Sequence, residues 1–118
     1  NSNPLSLKSA IENFNLINTK NKKYMILGDM LELGKHSKSL HRKITPIINS
    51  TSINKVHILG NHIKEIYRNI SPSKKGFILK ESSQIIDLIK NEINNNDYLM
   101  IKGSNSTGLN KFAKELKK

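Results

Sequence analysis

The segment "KYMILGDMLELGKHSKSLH" (Lys23 to His41) is the strongest indication of the fold, because its hydrophobic pattern changes at a glycine. "KYMILG" is a continuous apolar run, typical of a strand buried on both faces of a sheet. Residues 37–48 follow with apolar side chains at helical spacing: Leu40, Ile44 and Ile47. We expect a helix there, kinked or shortened by Pro46. The segment therefore predicts a buried strand that ends at Gly28 and leads into a helix.

The same alternation of strand and helix continues along the chain. Further strands are predicted at "KVHILG" (55–60), "GFILK" (76–80) and "YLMIKG" (98–103), and "YLMI" is also apolar enough for burial on both faces. Helices are predicted after the Asn3-Pro4 cap, around residues 63–70, after a cap at Ser82 or Ser83, and at about 108–116. This order predicts an α/β domain, Rossmann-like, with three layers and a mostly parallel sheet. Because the chain opens on a helix cap, either the sheet starts with "YMIL" (24–27) or a first strand lies before residue 1.

Composition limits the class of protein. The 118 residues are enough for one domain, and no apolar run is long enough to span a bilayer, so we expect no membrane partner. The absence of cysteine fits a cytoplasmic location. The net charge of +11 would suit a nucleic-acid partner, but the lysines occur singly or in pairs with few aromatic residues between them. We therefore expect the lysines to form a solvated surface, with no nucleic acid bound.

The loop after the first visible strand is not a phosphate-binding P-loop. Five residues separate Gly28 from Gly34-Lys35, where the P-loop pattern has four, and His36 stands in place of Ser or Thr. Asp29 and Glu32 would also place negative charge in a phosphate cradle. The alternative is an ordinary turn, with Asp29 capping the residues after it.

The second candidate segment is "KGSNSTG" (102–108), where glycine and serine can turn successive N–H groups toward an anion beside Lys102. An ordinary strand-to-helix turn explains it equally well. The four histidines have no metal-ligand spacing, so no metal site is expected in this chain. His57, within a strand, is expected to pack in the core or on a sheet face.

Three segments resemble the Mur ligase family, and within it the ligases that add D-alanyl-D-alanine to UDP-N-acetylmuramoyl-tripeptide. "NSNPLSLKSAIENF" (1–14) is similar to a Y-N-A-N-P-x-S-M segment, and "LGDMLELGKHSKSLH" (27–41) closely resembles L-G-D-M-x-E-L-G…S…H. "IKGSNSTGL" (101–109) is similar to K-G-S-R-S-x-x-M. The segments occur in the family's order, so the resemblance covers essentially the whole chain. It implies that residues 1–118 are the C-terminal domain of a three-domain ligase whose N-terminal and central domains lie elsewhere.

The resemblance also implies a function for this domain. Such ligases use ATP and Mg²⁺ to form an acyl phosphate, which the amine of D-alanyl-D-alanine then attacks. The phosphate loop and the Mg²⁺ ligands belong to the central domain, whereas the C-terminal domain closes over ATP and helps present the amine. We therefore expect residues 1–118 alone to be inactive. A free-standing nucleotide-binding or regulatory α/β module is the alternative.

Individual residues follow from the same motifs. Asn1 and Asn3 match the ATP-facing segment. Substrate contact or domain closure is implied for Asp29, Glu32, His41, Lys102, Ser104 and Asn105. Asp29 or Glu32 could orient the cationic amine or receive its proton, and Lys102 and Ser104 suit an anionic group. Asn105 replaces the family's arginine, which removes a fixed charge and its bidentate grip on a carboxylate.

Overall fold

The structure is a computed structural model that describes residues 4–30 and 33–103, with side chains described for residues 6–30 and 39–103. Helices and strands alternate along these ranges, with a 3₁₀ turn at Pro72–Lys74 before the third strand. The helices are α1 (Pro4–Asn15), α2 (Leu33–Asn49), α3 (Lys64–Asn69) and α4 (Ser83–Glu92). The strands are β1 (Lys23–Gly28), β2 (Lys55–Leu59), β3 (Lys75–Leu79) and β4 (Tyr98–Lys102). The predicted alternation is confirmed over this part of the chain.

The described strands form one parallel sheet in the order β3-β2-β1-β4. β1 lies between β2 and β4, and all six of its residues are buried. Because a parallel connection must return to the same end of the sheet, each crossover passes through a helix. All strands therefore end at the same edge of the sheet.

Apolar side chains on the two faces of the sheet pack against different helices. Met25 and Leu27 of β1 lie in a core shared with α1, α2 and α3, whereas Ile26 packs with Ile85 and Leu88 of α4. Alternate residues of a strand point to opposite faces, so the continuous apolar run of β1 serves both cores. The predicted three-layer arrangement is confirmed.

Three local predictions are corrected in whole or in part. Pro46 does not shorten α2, which continues to Asn49, and the alternative of a kink stays a prediction. Ser82 stands at the start of α4 but makes no capping hydrogen bond; instead, the Gln84 side-chain oxygen accepts the N–H groups of Lys80 and Glu81. The "YLMI" run is only partly buried, with Tyr98 41% exposed, because β4 lies at one end of the described sheet. The helix predicted at 108–116 lies outside the described residues.

Candidate functional site

The site predicted from the sequence centres on the carboxyl ends of β1 and β4. The chain runs outward from β1 to β2 and β3, and then returns to β4 on the opposite side of β1. Ligands of open α/β sheets bind where the strand order reverses in this way. Leu27 pairs with Lys102 across the two strands, so Asp29 and Gly103 both follow directly from this switch point. The parallel pairing of β1 and β4 thus brings the loop that starts at Asp29 next to the start of the segment 102–108.

Asp29 holds two neighbouring loops together. Its Oδ1 atom accepts the backbone N–H of Ile63 at 2.8 Å, and its Oδ2 atom accepts that of Asn61 at 3.1 Å. Both donors belong to the connection between β2 and α3, more than 30 residues away. The sequence predicted that Asp29 caps the residues immediately after it or contacts substrate. The structure shows that the carboxylate binds the loop that leads into α3, and its contact with substrate stays a prediction.

Gly60 allows this contact. Its φ is +133°, a backbone conformation that residues with a side chain rarely adopt. A Cβ atom added at Gly60 would lie 2.5 Å from Cγ of Asp29, closer than real contacts. The glycine at the end of β2 is therefore required both by its dihedral angle and by the carboxylate beside it.

Lys102 and His41 are also placed by the structure. Lys102 ends β4 and is partly buried; alternation puts it on the same face as Met100, which packs against the core of α1 to α3. His41 lies on α2, where its Nε2 atom is buried without a hydrogen-bond partner among the described residues. Thr45, one turn later, has an Oγ1 atom that is also buried and has no hydrogen-bond partner among the described residues. An unpaired buried polar group costs stability, so both atoms are unusual.

The remaining predicted site residues lie outside the described residues: Asn1, Asn3, Glu32, Ser104 and Asn105. Their predicted contacts with ATP, with substrate or during domain closure stay predictions. The described part of the chain contains no group of three or more His, Cys, Asp or Glu side chains that could hold a metal ion. It also contains no helix long and apolar enough to cross a bilayer.

A second cleft of about 450 Å³ opens at the same edge, between the ends of β2 and β3. Lys64 and Lys80 line it, opposed by the carboxylate of Glu81, together with Gly60 and Asn61. The sequence gave no sign that two lysines from different loops would share a cleft. Asp29 thus lies between the switch point and the cleft that Lys64 and Lys80 line.

Comparison with known proteins establishes the family. Residues 1–105 match the family model described as Mur ligase, glutamate ligase domain. The chain belongs to the Mur ligase family.

Relatives within this Mur ligase family share one name. The chain is 34% identical over 96% of its length to the UDP-N-acetylmuramoyl-tripeptide--D-alanyl-D-alanine ligase of Rickettsia prowazekii, and 27% identical over 98% to that of Bacillus subtilis. It covers 25% and 26% of those two proteins, so it spans about a quarter of their length.

Solved structures support the fold. The chain superimposes with a TM-score of 0.74 on MurF from Acinetobacter baumannii and 0.71 on the MurF ligase of Thermotoga maritima in complex with ADP. The sequence identities are 21% and 19%, and a quarter of each structure is covered. These two likenesses show the fold alone.

Proposed function

We propose that this chain is the C-terminal domain of an ATP-dependent ligase that adds D-alanyl-D-alanine to UDP-N-acetylmuramoyl-tripeptide in peptidoglycan precursor synthesis. The match of residues 1–105 to the family carries the proposal, because the curated relatives that cover nearly the whole chain bear this one name. The nucleotide is ATP, in keeping with the ADP named for the Thermotoga maritima structure. A cytoplasmic location follows from the same substrates.

In this proposal the domain positions the reacting groups and does not supply the metal chemistry. The described residues do not fit a Mg²⁺ site, so the proposal assigns Mg²⁺ and the phosphate loop to the central domain. The acyl phosphate formed there is open to hydrolysis. A domain that closes over it excludes water and brings the amine of the dipeptide within reach.

Asp29 acts as a positioning residue in this proposal. Both carboxylate oxygens accept backbone N–H groups of the loop after β2. The residue fixes the loop after β2 beside the switch point, so closure brings a rigid edge to the nucleotide. Lys102 and the lysines of the adjacent cleft supply positive charge near that edge, suited to phosphate or to the dipeptide carboxylate.

The proposal is tested on the full-length protein that carries this chain. We expect purified full-length protein to release ADP only when both UDP-N-acetylmuramoyl-tripeptide and D-alanyl-D-alanine are present, and to lose this activity when residues 1–118 are deleted. A gene that starts just before Asn1, with no upstream G-x-x-x-x-G-K-[ST] region, would instead support the free-standing module. A full-length protein that ligates another amino acid in preference to the dipeptide would refute the substrate assignment.

A further inference from the structure

A row of three stacked rings crosses the sheet at the end opposite the candidate site. Tyr24, His57 and Phe77 lie on β1, β2 and β3; their ring centroids are 6.1 and 5.6 Å apart and their planes 19° and 10° from parallel. Gly76 makes room for this row, because a Cβ atom there would collide with the imidazole of His57. The row forms a floor of which mainly the Phe77 ring, 53% exposed, is accessible, because Tyr24 and His57 are only 6% and 2% exposed.

A cleft of about 430 Å³ lies over this floor. α4 covers the same face, but its buried residues Ile85 and Leu88 pack with Ile26, Leu59 and Leu79, all nearer the carboxyl ends of the strands. Only Glu92, at the end of α4, borders the cleft. A helix of ten residues is about 15 Å long, so it cannot cover the whole face.

Positive charge borders the cleft. Lys22 and Lys55 line it, opposed by the single carboxylate of Glu92. The ammonium group of Lys55 donates one hydrogen bond, to the carbonyl of Ser73 at 2.9 Å, and has further donors available. The ammonium group of Lys75 lies over the Tyr67 ring, 5.6 Å from its centroid, and donates to the carbonyl of Arg68, so Lys75 contributes mainly its carbon chain to the cleft.

The floor of the cleft holds an unused hydrogen-bond donor. Nδ1 of His57 accepts the N–H of Phe77 at 2.8 Å, so in the neutral ring Nε2 carries the proton. Burial, and secondly the charge of Lys55, lower the pKa of His57 to about 4, which keeps the ring neutral at pH 7. Nε2 is buried and has no partner among the described residues. Neighbouring side chains shield Nε2, so an acceptor reaches it only if those side chains shift.

We propose that this cleft binds a small organic anion with a flat apolar body. The body packs against the exposed ring of Phe77, next to the buried rings of Tyr24 and His57, and the carboxylate or phosphate pairs with Lys55 and Lys22. Ring stacking and a charge-assisted hydrogen bond are the two interactions that the cleft offers. The site is independent of the proposed ligase chemistry, since it lies at the opposite edge of the sheet.

The test is an NMR titration of the 118-residue chain with benzoate and phenyl phosphate. We expect saturable shifts at Tyr24, His57 and Phe77, and a loss of affinity of about three- to tenfold in Lys55→Gln. Lys43→Gln, exposed on α2 at the other face of the sheet, is the matched control and should bind as the original chain does. Phe77→Leu gives a second variant that weakens the ring contact without touching charge, and well-dispersed spectra verify folding of each variant.

Three results would overturn the site. One is the absence of saturable shifts at tens of millimolar probe. Another is equal weakening by Lys43→Gln and Lys55→Gln, which would indicate nonspecific attraction to a basic protein. The third is equally tight binding of benzamide or of inorganic phosphate alone, since the first lacks the charge and the second lacks the flat body.

Discussion

At the scale of single residues, the molecule uses polar groups to tie distant loops together. Asp29 joins the end of β1 to the start of α3, and Lys23, only 4% exposed, donates to the carbonyl of Asn15 and the hydroxyl of Ser52. Such contacts join residues that are far apart in the sequence. Two residue-scale predictions follow from them.

The first prediction concerns Asp29→Asn. The sequence alone predicts that this change leaves the fold nearly unchanged, whereas the two hydrogen bonds of Asp29 predict a measurable loss of stability. One N–H of Asn61 or Ile63 would face the new NH₂ group, so we expect a loss of about 1–3 kcal/mol in the free energy of unfolding. Urea denaturation of the 118-residue chain measures it, with exposed Asp87→Asn on α4 as the control.

Activity of the full-length protein then separates two roles for Asp29. If the carboxylate only positions the loop, the loss in kcat/KM of Asp29→Asn should shrink at low temperature, where the variant is fully folded. A turnover deficit that persists unchanged in the fully folded variant would show direct contact with substrate. Unaltered stability of the variant would contradict the capping role.

The second prediction concerns the acid sensitivity of His57. Its pKa falls from about 6.5 in the unfolded chain to about 4 in the folded one. Between these values the unfolded chain binds more protons, so this contribution to stability is complete above pH 6.5 and is lost as the pH falls through 4. Its full size is about 3 kcal/mol.

His57→Asn should flatten that profile. The Asn oxygen can replace Nδ1 as acceptor for Phe77, although packing is lost, so the slope with pH is the relevant quantity rather than absolute stability. Urea denaturation between pH 4.5 and 7.5 gives the slope, and exposed His62→Asn is the control. Equal slopes in His57→Asn and the original chain would contradict the prediction.

At the scale of secondary structure, α2 contains a proline that removes one backbone hydrogen bond from the helix. Pro46 lies three residues before the end of this helix, where it has no N–H to donate to the carbonyl of Arg42. The apolar face formed by Leu40, Ile44 and Ile48, each at most 1% exposed, holds the helix in place regardless. Packing thus overrides the local cost.

The third prediction is that Pro46→Ala stabilises the chain. A proline inside a helix costs about 3 kcal/mol relative to alanine, and its restriction of the unfolded chain returns about 0.4–1 kcal/mol. We expect a net gain of about 2 kcal/mol by thermal or urea unfolding. Exposed Lys43→Ala on the same helix should change stability by less than about 0.5 kcal/mol, and no gain in Pro46→Ala would show that the helix is already adapted to the proline.

At the scale of the whole molecule, the basic charge is partly structural. Lys23, Lys55, Lys74 and Lys75 donate to backbone carbonyls, and burial lowers the pKa of Lys74, whose ammonium binds the carbonyls of Thr51 and Ile53. These lysines cap loops and strand ends.

The fourth prediction is therefore weak binding to nucleic acid. Affinity of the 118-residue chain for duplex DNA should be independent of sequence and fall steeply with salt, as measured by fluorescence anisotropy. Tight binding that survives ~0.3 M salt and prefers one sequence would contradict this view of the lysines.

The fifth prediction is that the 118-residue chain neither hydrolyses ATP nor ligates D-alanyl-D-alanine. Phosphoryl transfer needs a phosphate cradle and a positioned metal, and the loop after β1 lacks the P-loop spacing. Coupled assays for ADP release and for dipeptide consumption measure both activities. Dipeptide ligation by the chain alone would contradict the domain assignment.

Local sequence pattern was enough to predict the alternation of strands and helices and the position of the candidate edge. β1 was predicted within its observed limits, since a continuous apolar run between turn residues depends mainly on local pattern. Because parallel strands end at one edge, the order of strands and helices in the sequence also placed the segments containing Asp29 and Lys102 at the same edge.

The contacts of those side chains, in contrast, depend on how the segments pack together. Asp29 binds N–H groups more than 30 residues away, and the row of Tyr24, His57 and Phe77 exists only because three strands pair in one register. Burial of β4 likewise depends on its neighbours, so its apolar sequence gave the wrong expectation. Periodicity reports which way a residue faces along its own segment, whereas a contact requires the relative placement of two segments, which only the packed sheet supplies.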